Sequence, residues 1–153
     1  MDKVRIIQER KAELIETLNL LPPGEERLLY LISLGRKYPA MNPELKTDDR
    51  LLPGCVSRLW IAAMPDGDGI YFEMDADAAI SKGIAAAVCG IYNGMPAEAI
   101  LAVEPDFFSE TGLSLLISPN RSNAVSSLRG FIKEVACRKM AEESVKGELE
   151  KVK

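Results

Sequence analysis

The residues able to do covalent chemistry are few. The chain has three cysteines, Cys55, Cys89 and Cys137, and no histidine. Without imidazole, a Ser-His or Cys-His nucleophile pair and any His-ligated metal site are excluded. Chemistry must come from Cys, Asp, Glu, Lys, Arg, Tyr or Ser. Thiolate, not thiol, is the nucleophile, and a free cysteine with a pKa of about 8.5 is only slightly ionised at neutral pH. A reactive cysteine here therefore needs a cation, backbone N–H groups or a partner's own site to activate it.

The three thiols stand in different surroundings. Cys89 falls in an apolar, alanine-rich stretch of helical periodicity and reads as a small buried hydrophobe. Cys137 lies in a later helical stretch beside Arg138 and Lys139, away from its apolar stripe, and reads as an incidental surface thiol. Cys55 follows Pro53-Gly54 at a junction between a polar connection and an apolar strand. Gly54 permits backbone conformations closed to other residues and leaves the sulfur uncrowded. A sulfur offered to a second protein belongs on such a loop. By spacing alone, a structural cysteine remains the commoner reading.

The elements around these thiols follow from hydrophobic period and breaker residues. Residues 3–19 read as an amphipathic helix with Val4, Ile7, Leu14 and Leu18 on one face. Pro22 and Pro23 interrupt it and introduce a second helix with Glu25 and Glu26 in its first turn. Gly35 is its candidate C-terminal signal, with an extension to Tyr38 as the alternative. Residues 39–54 lose the pattern and read as a long exposed connection, a kind of segment that is often functional. Strands are expected over 56–64 and 70–74, joined by a turn at 65–69 into an antiparallel hairpin with Ile70, Phe72 and Met74 inward. Apolar residues on both faces of the first strand call for helices over at least part of each. By alternation, Arg58 is expected to point away from Ser57's face.

A central helix is expected over about 78–92, capped by Asp75 or Asp77, with Ile80, Ile84, Val88 and Ile91 as its stripe. Shorter helical pieces follow at 96–101 and 105–111. Ser118-Pro119 then starts a last helix with Val125, Leu128, Ile132 and Val135 on one face, and 141–153 form a charged, fraying end. The fold class is α+β: a small antiparallel sheet, with a third strand from 50–54 or 113–117, packed against several helices in a single domain spanning 1–153.

Bulk properties narrow the function. The chain has 153 residues, 47% hydrophobic and 27% charged, with a net charge of −4. That is globular composition, without the basic excess of a nucleic-acid binder. No apolar run approaches the roughly 20 residues of a membrane span. Residues 1–10 lack a signal-peptide apolar region, and few cysteines suit a reducing compartment, so the expected setting is the cytoplasm. Asp66-Gly67-Asp68-Gly69 superficially suggests a calcium loop, but Ile70 occupies the next ligand position, and a hairpin turn is the better reading.

Four collinear blocks carry a family resemblance. Residues 51–61 (LLPGCVSRLWI) resemble the Gly-Cys-x-Ser…Trp segment of the SufE sulfur-acceptor family, which includes the CsdE proteins. Residues 25–39, 75–88 (DADAAISKGIAAAV) and 118–132 (SPNRSNAVSSLRGFI) are similar to that family's preceding helix, its Asp-x-Asp-Ala-Ala-Ile-x-Lys-Gly stretch and the start of its last helix. The blocks span about 20–135. The resemblance implies an α+β fold like that of U-type iron–sulfur scaffold proteins. It also implies a sulfur carrier rather than a stand-alone enzyme. Cys55 would take persulfide sulfur from a SufS/CsdA-type cysteine desulfurase and pass it to an iron–sulfur scaffold complex. The pyridoxal phosphate belongs to the desulfurase; no bound cofactor, metal, nucleic acid or membrane is implied for this chain. Val56 departs from the family, which usually has Gln there; Ser57 and Trp60 are retained.

Around Cys55, Gly54 and Ser57 form the supporting loop. Arg121, in the first turn of the last helix where the helix end is partly positive, is the favoured stabiliser of a thiolate or persulfide anion. Asp77 is expected to restrain the loop or Arg121, with helix capping as the plainer alternative. Cys55 is expected to be shielded at rest and to swing out toward the desulfurase. Two other readings are weighed: a U-type scaffold that holds a cluster itself, and a regulator that docks on a desulfurase without carrying sulfur. The first is disfavoured because clusters need several thiolate ligands.

Overall fold

The structure, a computed structural model, describes residues 2–54, 57–117 and 119–152, with side chains for all of these but 115, 119–122, 151 and 152. The element order is α1 (Lys3–Leu20), α2 (Glu25–Lys37), β1 (Leu59–Asp66), β2 (Gly69–Ala76), α3 (Ala79–Tyr92), α4 (Ala97–Ala102) and α5 (Pro119–Val152). The chain is α+β, as its pattern implies: a two-stranded antiparallel sheet with helices against one face.

Asp2 caps α1 by accepting from the N–H groups of Val4 and Arg5 at 3.1 and 3.4 Å. Pro22 and Pro23 end it by pushing Leu21 to extended backbone (ψ 151°). Helix α2 carries Glu25 and Glu26 in its first turn and Arg36 and Lys37 in its last, each sign complementing the helix dipole. Gly35 does not end this helix. It lies inside it, buried, where α2 crosses α3. A Cβ on Gly35 would stand 2.9 Å from the backbone nitrogen of Gly83, and one on Gly83 would fall on the Leu31 carbonyl. The two helices pack backbone to backbone there, which only glycine on both sides allows.

Helix α3 is the centre of the core. Ile84, Ala85, Ala86, Ala87, Val88, Cys89, Ile91 and Tyr92 are all buried. Neither Asp75 nor Asp77 caps it; the capping position is Ala78, and both carboxylates face other partners. The hairpin register runs from Leu59 opposite Ala76 to Asp66 opposite Gly69, leaving Gly67-Asp68 as a two-residue turn with Gly67 at φ 61°. The first strand runs Leu59–Asp66, without the expected residues 57 and 58, and the second extends to Ala76; residue 56 lies outside the described residues. Leu59, Ile61, Ile70, Phe72 and Met74 face the helices.

The outer face of the sheet is covered by the connection rather than by a helix. Trp60 and Ala62 pack with Met41, flanked by Leu45, Leu51 and Met64. Residues 39–51 therefore form a strap, stiffened by 3-10 turns at Pro43–Leu45 and Asp48–Arg50. Among the described residues the expected third strand shrinks to single bridges, Leu51 with Trp60 and Ile70 with Met95. Residues 113–115 form a 3-10 turn instead. Helix α5 continues to Val152 as one helix, its last turns charged and mostly exposed. Ser118, expected to cap it, lies outside the described residues.

The glycine contact gives a stability test. Gly83→Ala forces α2 and α3 apart against a rigid carbonyl and should cost about 2–4 kcal/mol. Gly90→Ala, in the same helix with nothing within 4 Å of the added Cβ, should be neutral or stabilising by about 0.5–1 kcal/mol. Urea unfolding midpoints of the two variants check this contrast.

Candidate functional site

The chain makes a closed loop at the start of the sheet. The Leu52 N–H donates to the Leu59 carbonyl at 2.8 Å, and Leu51 bridges Trp60. Residues 53–58 thus leave and rejoin the body at neighbouring points. Cys55 and Val56 belong to this segment but lie outside the described residues; Gly54 and Ser57, their chain neighbours, are placed.

Each limb of the loop meets a different helix. Gly54 has φ 84°, a conformation favouring glycine, and a Cβ there would stand 3.1 Å from the Ser127 hydroxyl of α5. On the other limb, the Ser57 and Ser81 hydroxyls are 3.4 Å apart, which ties the loop to the first turn of α3. Arg58 pairs with Asp77, Nε to Oδ2 at 2.9 Å, and the Asp77 N–H donates to the Arg58 carbonyl at 3.0 Å. At the foot of the loop is a small apolar cavity between β1, α3 and α5, lined by Leu59, Ser81, Ile84, Ala85, Ala124, Val125 and Leu128.

Asp77 thus engages Arg58, one limb of the loop. Arg121 lies in the first turn of α5, and its side chain is outside the described residues. Arg58, expected to turn away from this site, is part of it. A readable signal pointed there: a two-residue turn at Gly67-Asp68 sets residue 58 opposite residue 77 by counting outward along the hairpin. Ser81 was also missed, although it lies in the first turn of the helix that Asp77 precedes.

The strap is fastened beside the loop. Asp75 pairs with Lys46 of the strap and with Lys82 of α3, the latter at 3.2 Å. Burial raises the Asp75 pKa, but hydrogen bonds from Lys46, the Ala76 N–H and Lys82 outweigh it, and the net shift is downward. Lys46 Nζ and the Arg58 guanidinium stand 5.3 and 5.1 Å from the centroid of the Trp60 ring, within cation–π range.

The other two thiols differ from each other as expected. Cys89 is fully buried, and burial pushes its pKa up to about 12, a hydrogen bond with Tyr38 offsetting this only in part. Cys137 is exposed on α5. Among the described residues, no group of three or more Cys, Asp or Glu side chains is arranged to hold a metal ion, and no helix is long and apolar enough to cross a membrane.

The fold is that of an α+β chain with a short loop tied between the hairpin, α3 and α5. The SufE family model, described as an Fe-S metabolism associated domain, matches residues 12–136. The chain belongs to the SufE family and so to proteins linked to iron–sulfur metabolism. An uncharacterized SufE-like protein of Rhizobium etli is 33% identical over 137 residues, covering 86% of this chain and 93% of that protein. A second, from Rhizobium meliloti, is 31% identical and covers 81% and 92%. The SufE-like protein 1 of Arabidopsis thaliana, named chloroplastic/mitochondrial, is 29% identical over 85% of this chain, which spans only 36% of that longer protein. A hypothetical protein of Thermus thermophilus, solved in solution, shares the fold with a TM-score of 0.72 at 19% identity, over 86% of this chain and 96% of its own.

Asp75 provides a pH test. Its carboxyl has a lower pKa folded than unfolded, so its contribution is present above the ordinary carboxylate value and is lost as pH falls through the folded one. Asp75→Asn should therefore melt below the parent at pH 7, by an amount worth about 1–2 kcal/mol. The two melting curves should converge as pH drops below about 4.

Proposed function

We propose that this chain is a persulfide carrier, with Cys55 as the acceptor. The observation that carries the proposal is the loop. The Pro53-Gly54-Cys55 sequence sits in a segment whose limbs are held against α3 and α5 beside an apolar cavity, in a chain of the SufE family. Such a loop can offer one sulfur to another protein while the core stays intact.

The chemistry is thiol–persulfide exchange. The Cys55 thiolate attacks the terminal sulfur of a persulfide on a SufS/CsdA-type cysteine desulfurase. One S–S bond forms and one breaks, the donor cysteine leaves as thiolate, and no net oxidant is consumed. The desulfurase, with its own pyridoxal phosphate, generates the persulfide from free cysteine; a downstream iron–sulfur scaffold complex receives the sulfur.

Within this proposal Arg121 assists the anion from the first turn of α5, a helix end that is partly positive; the loop meets the same helix two turns further on, at Ser127. Gly54 and Ser57 shape the loop, and Asp77 holds it through Arg58. The apolar side chains of Leu59, Ile84, Val125 and Leu128 at the foot of the loop would keep water from a sulfur resting against them. A cytoplasmic setting completes the reading, since free thiols such as Cys89 and Cys137 suit a reducing compartment.

Incubation with a desulfurase and cysteine, followed by peptide mass analysis, tests the assignment. One extra sulfur is expected on the Cys55 peptide and none on those of Cys89 or Cys137. Cys55→Ser should abolish both the transfer and the stimulation of desulfurase turnover. If stimulation survives that substitution, the chain is a docking regulator and the carrier reading fails.

A further inference from the structure

We infer that the end of α5 is a self-association surface: its exposed apolar face pairs, antiparallel, with the same face of a second copy of this chain. The inference goes beyond the carrier reading and does not depend on it.

The helix outruns the body that holds it. Among the described residues, none after Ala136 belongs to the apolar core, yet α5 continues to Val152, about 24 Å further at 1.5 Å per residue. The family match also stops at residue 136, so the shared fold does not call for this extension. A solvated stretch of this kind is a poor helix by itself, and Gly147 weakens it further, with nothing within 4 Å of an added Cβ. It nevertheless exposes two large apolar side chains, Val145 at 57% and Leu149 at 60%. At 100° per residue they lie about 40° apart on one face. Arg138 and Glu142 fall on the same face, and both also line a groove of about 350 Å³ between α5 and the hairpin, together with Met64, Ile70 and Val135. The apolar stripe of the extension and this groove form one continuous surface.

Charge selects the occupant. Glu142 and Lys146 stand one turn apart on the flank of the stripe, both exposed. In an antiparallel copy their order is reversed, so Glu142 of each chain faces Lys146 of the other, and the contact is made twice. A parallel copy would set Glu against Glu and Lys against Lys. In the antiparallel register Leu149 comes level with Lys139 of the second copy, which lines that copy's groove. The groove borders the turn end of the hairpin, at Pro65 and Gly69, whereas residues 53–58 join the opposite end. Pairing therefore takes place away from the Cys55 loop. So short a helix pair buries less than a standard interface of about 1,600 Å², and the dimer is weak, with a Kd of about 10–500 µM.

Sedimentation velocity of the full chain over about 5–500 µM, with reductant present, tests the pairing. A reversible monomer–dimer equilibrium is expected. Leu149→Asp should leave the chain monomeric throughout, with an unchanged melting midpoint because the residue lies outside the core. Glu142→Lys and Lys146→Glu should each weaken association about fivefold or more at low salt, by setting like charges opposite each other. An equimolar mixture of these two variants should associate about as tightly as the parent, since each supplies the charge the other lacks. Gly147→Ala should tighten the dimer about two- to fivefold by firming the helix. A chain still monomeric at about 500 µM overturns the inference. So does a dimer that survives Leu149→Asp, or a mixture that associates no better than its components. A dimer seen only without reductant would be a disulfide through Cys137, exposed on the same helix, and overturns it equally.

Discussion

Where α2 crosses α3, Gly35 and Gly83 bring two helix backbones into direct contact, and the rest of the architecture is arranged around that closeness. It draws α3 into the middle of the molecule and lets α1 and α5 pack around it. An α3 so deeply buried can carry only small or apolar side chains, which is why its central run is alanine-rich and why Cys89 behaves as a hydrophobe there. The same placement fixes the start of α3 beneath the end of the hairpin. Asp77 and Ser81 reach the limb of the Cys55 loop because that helix cannot shift without parting from α2.

Much of this was legible in the chain. The amphipathic period gave α1 and α2 within a residue or so, and alternation identified Leu59 and Ile61 against Trp60 as opposite faces of one strand. The proline pair and the Gly67-Asp68 turn marked their breaks through backbone restriction, a local effect that sequence reports directly. The misreadings have one cause. Gly35 reads as a candidate stop because glycine is common just past helix ends, and the alternative end at Tyr38 is the one adopted; the role of Gly35 depends on a helix nearly fifty residues away. Asp75 or Asp77 reads as a cap because Asp is a good cap, yet Lys46, Lys82 and Arg58 compete for them from other segments. Local propensity is readable; which of two favourable partners a carboxylate chooses is a tertiary matter.

The covering of the sheet's outer face illustrates the same limit in another way. Two strands with apolar groups on both sides require cover, and helices are the usual provider. Here the cover is a strap of irregular chain that contributes Met41, Leu45 and Leu51, with Lys46 bonded to Asp75 and the Asn42 N–H donating to Glu73 at 3.2 Å. Its 3-10 turns satisfy backbone groups that a structureless loop would leave to water. The family match spans both the strap and the loop, so the connection belongs to the common fold and is not an appendage.

The chain's lone tryptophan has a consequence of a different kind. Trp60 is nearly buried between the strap and the first strand, with two cationic groups close to its ring and the loop beginning two residues before it. Indole emission shifts with hydration and with nearby charge. Excited near its red edge, this protein therefore carries a built-in optical probe at the seam between strap and sheet, uncontaminated by a second indole.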